Sequence, residues 1–140
     1  MILRTCAEFE TDIPDDTVED EHDIIEFGGR NVAEALIELL RRQGPAWKIS
    51  SPDYEGEQGW TFTVKTGKRT LYFQVQRIEK AVLVTDDVTF LGGGDKRVLA
   101  EVLEQLNRDL RNDPRFHEIK WCRGEELFDN GPGASSPTGG

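Results

Sequence analysis

The sequence predicts an α+β fold: a two-layer sandwich in which an antiparallel β-meander sheet of about four to six strands carries two main helices on one face. Three observations predict it. Apolar and polar residues alternate with period two between Trp60 and Phe90. Two segments of helical periodicity, 31–43 and about 95–112, flank that stretch. The alternation also sorts Trp60, Phe62, Leu71, Phe73 and Val75 onto one sheet face and Thr61, Thr63, Tyr72, Gln74 and Gln76 onto the other, so one face is to be covered and one can meet water.

The first meander strand ends at Thr66-Gly67-Lys68, where Gly67 can take positive φ in a hairpin loop. A second turn near Glu79-Lys80 lacks Gly or Asn and leads into Ala81–Thr85. Asp86-Asp87 is expected to break that strand, and Val88–Leu91 to extend the sheet.

In chain order, residues 4–13 read as an edge strand that Pro14 ends, with Phe9, Thr11 and Ile13 on one side and Glu8, Glu10 and Asp12 on the other. Residues 14–23 form an acidic loop, expected to be solvated and mobile. Ile24–Phe27 fits a strand or a helical turn. The first helix runs over 31–43, with Asn31 as N-cap, Glu34 closing a capping box, Arg41 and Arg42 at the negative end of the dipole, and Gly44-Pro45 as the stop. Its charged residues occupy only about a 100° arc, so the helix is either covered on two sides within the fold or shared with another chain. Trp47–Ser50 alternates as a short strand, and the loop 52–59 follows with Tyr54 among acids. The second helix is conventionally amphipathic, with Asp95 as its N-cap and Asn112-Asp113-Pro114 as its end. Arg115–Cys122 alternates as a last strand, with His117, Ile119 and Trp121 on one face and Phe116, Glu118, Lys120 and Cys122 on the other. The expected organisation is one α+β domain over 1–128 and a disordered Gly/Pro/Ser tail over 129–140.

Charge bounds the partners. The net charge of the 140 residues is −10, and the first 30 residues hold ten acidic side chains against Arg4 and Arg30. Such a chain is repelled by phosphate backbones and by anionic lipid surfaces, so neither nucleic acid nor a membrane is expected as a partner, and a basic protein is. Met1-Ile2-Leu3 runs straight into Arg4 and acids without an apolar h-region, and Cys6 and Cys122 are expected to be thiols in a reducing cytoplasm.

The sequence carries no complete catalytic, metal or cofactor motif. Gly92-Gly93-Gly94-Asp95-Lys96 precedes a helix, but it has neither the spacing nor the hydroxyl residue of a phosphate loop, and Asp95 places a negative charge where a phosphate would sit. Asp12, Asp15, Asp16, Glu19 and Asp20 lack the order of a calcium loop. His117 and Cys122 should project from opposite strand faces, which opposes activation of the thiol. No cofactor or catalytic residue is therefore assigned. The residues most suited to contact a partner are Asp15, Asp16, Glu19, Asp20, Glu21 and Asp23 in the acidic loop, Tyr54 and Glu55 in the second loop, and Tyr72 on the polar sheet face.

The order helix, antiparallel strands, helix, strand resembles that of small bacterial secretion chaperones and of some toxin-immunity proteins, which are acidic, non-enzymatic cytoplasmic binders. The resemblance covers element order and charge and carries no residue motif. It implies a non-catalytic protein-binding module. The alternatives are a small-ligand site or an active site between helices and sheet, and a homodimer through helix 31–43.

Overall fold

The structure, a computed structural model, describes residues 2–90, 95–127 and 131–139. The chain runs β1 (Cys6–Thr11), β2 (Val18–Glu19), β3 (Ile24–Glu26), α1 (Arg30–Gln43), β4 (Lys48–Ile49), β5 (Asp53–Tyr54), β6 (Trp60–Thr66), β7 (Arg69–Arg77), β8 (Ala81–Asp87), α2 (Arg97–Arg111) and β9 (Phe116–Cys122). Seven strands form one antiparallel sheet in the order β4-β6-β7-β8-β1-β9, with β5 also on β6. That exceeds the expected count because two-residue strands on either side of the Ser50–Pro52 bend both pair with β6. β2, inside the segment expected to be a loop, pairs with β3 as a separate hairpin, and of the stretch 24–27 left open between strand and helical turn, Ile24–Glu26 is strand.

The meander pairs as its alternation demands. Trp60 lies opposite Val75, Phe62 opposite Phe73 and Val64 opposite Leu71. The Phe62 and Phe73 rings stack at 5.0 Å. α1 covers this part of the sheet and α2 covers β9. Leu36 and Leu40 of α1 and Leu99, Leu103, Leu106 and Leu110 of α2 are fully buried, each worth about 1.5–3 kcal/mol of transfer free energy. Val32, Ala33, Ala35, Ile37 and Leu39 are also inside. The wide apolar arc of α1 is thus consumed by its own fold.

Several expectations are corrected. The first strand is not an edge: β1 lies between β8 and β9. Its acids misled, because β1 turns Ala7 and Phe9 into the core, while Glu8 and Glu10 keep access to water on the other side. Asp86 and Asp87 are the last residues of β8, and residues 88–90 do not extend the sheet as a further strand; Asp87 is buried because Arg69 meets it. Asn31 is not the N-cap of α1. The helix starts at Arg30, after Gly29 at φ 128°, and the Asp16 carboxylate accepts the N–H groups of Gly29 and Asn31, both at 2.9 Å. A β-bulge changes the faces of β9: the register with β1 slips between Glu8 and Glu10, and Glu118 adopts φ 52°. The extra residue puts Phe116 on the core side with Ile119 and Trp121, edge-on to Phe9 at 5.4 Å.

The tail expected to be disordered lies docked over residues 131–139. Ala134 and Trp121 exchange both backbone hydrogen bonds, at 2.8 and 2.9 Å, and Thr138 bridges to Leu3. Asn107 Nδ2 and Arg111 Nη2 donate to the Ser135 carbonyl at 3.1 and 2.7 Å. The Glu104 carboxylate accepts Ser136 Oγ–H at 2.7 Å, and also the Thr138 hydroxyl and N–H. Composition reports the side-chain burial a segment can earn, and this segment is held instead through its backbone and hydroxyls along the open edge of β9. Leu91, the glycine run 92–94 and residues 128–130 lie outside the described residues. The N-cap of α2 is Lys96 and not Asp95, which lies one residue outside the cap and accepts the Arg97 N–H at 3.0 Å.

Candidate protein-binding surface

The acidic segment is built from its own carboxylates. Asp15 Oδ1 accepts the Thr17 N–H at 2.9 Å and the Thr17 hydroxyl at 2.6 Å. Burial acts to raise the Asp15 pKa, but these bonds and the Arg77 charge outweigh it and hold the carboxyl below its ordinary range. Asp20 Oδ1 accepts the N–H groups of His22 and Asp23 at 2.9 and 2.8 Å, which turns the chain at the hairpin tip and lowers that carboxyl too. With Asp16 on α1 and Asp23 Oδ1 accepting the Ile24 N–H at 2.8 Å, four of the six acids singled out here bond the backbone. Glu19, Glu21 and Asp23 remain exposed. Beside them Val18 and Ile25 are exposed too, at 45% and 61%.

An aromatic joint fixes this hairpin to the large sheet. The Phe27 N–H donates to Tyr54 Oη at 3.0 Å, and Trp60 Nε1–H donates to the Phe27 carbonyl at 3.0 Å. The Tyr54 and Trp60 rings meet at 5.2 Å, and the Arg30 guanidinium lies 5.5 Å from the Trp60 ring centroid. Tyr54 therefore folds back on the sheet edge, with Glu55 exposed next to it. The structure brings Tyr54 and the acidic hairpin together through Phe27, a link between residues 27 apart that no local pattern signals.

Tyr72 sits apart, half-buried in the polar face of β7 between Thr63 and Asp86, and its hydroxyl donates to Gln74 Oε1 at 3.1 Å. Burial first, and then the Glu55 charge, raise its pKa. The Gln76 side chain donates to the Glu57 carbonyl and ties the Glu55 loop to the same face.

The cavities are surface grooves. One of about 660 Å³ runs beside α1 between Asp12, Asn31, Glu38, Arg41 and Arg115. Another of about 640 Å³ joins the end of α1 to the end of α2 through Arg42, Gln105 and Asp113. Neither wall includes a histidine or a cysteine; a smaller groove of about 300 Å³ is lined by Cys122. The bulge removes the parity argument that separated His117 from Cys122. Distance now separates them: His117 pairs with Glu10 and Cys122 with Cys6, which places them roughly 16 Å apart along β9 at the usual rise. His117 Nε2 instead meets Asp12 at 2.9 Å.

Among the described residues no helix is long and apolar enough to cross a membrane. Comparison with protein-family models, curated proteins and solved structures finds no match to this chain.

Proposed function

We propose that the protein is a non-catalytic protein-binding module whose contact surface is the acidic β2–β3 hairpin, continued by Glu55, and whose partner is a basic protein. The observation that carries this reading is the hairpin's construction. Asp15, Asp16 and Asp20 spend their carboxylates on turns and on the α1 N-terminus. That spending gives Glu19, Glu21 and Asp23 a folded platform, with Val18 and Ile25 exposed beside them. Exposed apolar side chains ringed by like charge suit a partner that brings cations around an apolar contact. A platform ordered before binding also spares part of the entropy a mobile loop would lose. The two alternatives have weaker support. The apolar residues of α1 are used in the core, and the large grooves lie at the surface.

The test is capture of partners by tagged full-length protein, with washes at low and then high salt. Glu19→Gln/Glu21→Gln, which leaves the turn carboxylates intact, serves as the control. A stoichiometric basic protein, released by salt and at least tenfold depleted on the variant, is the expected result. A partner retained equally by the variant would move the contact elsewhere.

A further inference from the structure

We propose that Cys6 and Cys122 are a redox couple that closes to a cross-strand disulfide on reaction with a small-molecule disulfide such as glutathione disulfide. The two residues lie 116 positions apart in sequence, and the register of β1 on β9 sets them directly opposite one another. The hydrogen-bond directions define the kind of pair they form. Trp121 spends its N–H and C=O on Ala134, on the outer side of β9, so those of Cys122 face β1. Thr5 C=O accepts from Thr85 on β8, so those of Cys6 face β9. The pair is therefore a directly hydrogen-bonded antiparallel one, with Cα atoms about 5.5 Å apart. That lies within the ~4.4–6.8 Å span a disulfide bridges. Opposed residues project from the same side of a sheet, here the polar face, and both cysteines are thiols in this structure.

Their access differs in the way a two-step exchange needs. Cys122 is partly exposed and lines a groove of about 300 Å³ with Arg4, Glu8, Lys120 and Glu126. Cys6 is 2% exposed, and burial raises its thiol pKa. The Cys122 thiolate attacks one sulfur of glutathione disulfide, forming a Cys122–glutathione bond and releasing a glutathione thiolate. Cys6 then gives its proton to solvent and attacks Cys122 Sγ, which expels the second glutathione as thiolate. Two protein thiols are oxidised by two electrons, and one small disulfide is reduced to two thiols.

The test uses the full chain in glutathione buffers of rising disulfide-to-thiol ratio, quenched with acid. Remaining thiols are alkylated under denaturing conditions and read by intact mass and peptide mapping. The expected result is joint loss of both thiols in a monomer lighter by two hydrogens, with the Cys6 peptide linked to the Cys122 peptide. Cys6→Ser should accumulate a glutathione adduct on Cys122 instead. A wild-type chain that keeps the adduct with Cys6 still alkylatable, that links only to a second chain, or that retains both thiols overturns the proposal. The wild-type measurement decides even if the variant does not fold.

Discussion

Asp87 ends β8 with its side chain wholly out of water, opposite Arg69 at 14% exposure. Its oxygens accept Arg69 Nε–H at 2.8 Å, the Thr89 hydroxyl at 2.6 Å and the Thr89 N–H at 3.0 Å. Burial acts to raise the pKa of this carboxyl; the bonds from Thr89 and Arg69 outweigh it and keep it charged below the ordinary range. Asp87→Ala takes the carboxylate away from a mostly buried guanidinium and should cost about 3–5 kcal/mol, measured as a lower urea midpoint at unchanged slope. A cost under about 1 kcal/mol would mean that water or the Asp95 carbonyl, 2.9 Å from Arg69 Nη2, satisfies the cation without Asp87. Asn107 works by the same logic without charge. Its Oδ1 accepts the fully buried Trp121 Nε1–H at 2.8 Å, so one polar side chain links α2, β9 and the docked tail.

Among the elements, the connection into β6 is the most exacting. Gly59 takes φ 83°, and a Cβ there would stand 2.3 Å from the Val75 carbonyl oxygen of β7. Gly59→Ala therefore meets both a left-handed backbone and a backbone clash, and should cost about 2–3 kcal/mol. Chemical denaturation checks it, with Gly56→Ala as control: that position also has positive φ, at 62°, but open space around it, so only the conformational share should appear. Gly59 was legible only as part of a turn, because the strand it would strike begins ten residues later in the chain. β6, β7 and α2 were legible almost to their ends, since each carries its period within its own residues. α1 was legible in extent but not in its cap, because Asp16 reaches it from outside the helix.

At the scale of the whole molecule, acid should act through carboxylates that the fold uses. Asp87 closes the end of β8, and Glu104 holds Ser136 and Thr138 of the tail. Burial acts to raise the Glu104 pKa, but bonds from Thr138 and Ser136 outweigh it and lower that carboxyl. Asp113 is lowered first by its hydrogen bond from Arg115, and Asp95 to about 2 first by its bond from Arg97. A carboxyl depressed in the fold contributes stability that is complete above its unfolded pKa, about 4, and is lost as pH falls through the folded value. The urea midpoint should stay nearly level from pH 7 to about 5 and fall below about 4. Relief of repulsion among the exposed acids opposes this decline, so Glu104→Gln should flatten the fall and lower the midpoint at neutral pH. A midpoint that rises steadily on acidification would show that repulsion within the −10 chain outweighs these bonds.

The sequence by itself determined the class of fold, the meander, both helices and the sheet face they cover. Burial of an amphipathic face is a sum over neighbouring residues, so its period is written locally. The tertiary structure alone decided that β1 lies inside the sheet, that a bulge at Glu118 turns Phe116 inward, and that the 131–139 segment docks. It alone decided too which acids build the hairpin and which it displays, and that Cys6 faces Cys122. Each of these depends on a hydrogen-bond partner or a strand neighbour supplied from elsewhere in the chain. A backbone group is satisfied equally well by any segment that reaches it, and so leaves no period in the residues that carry it.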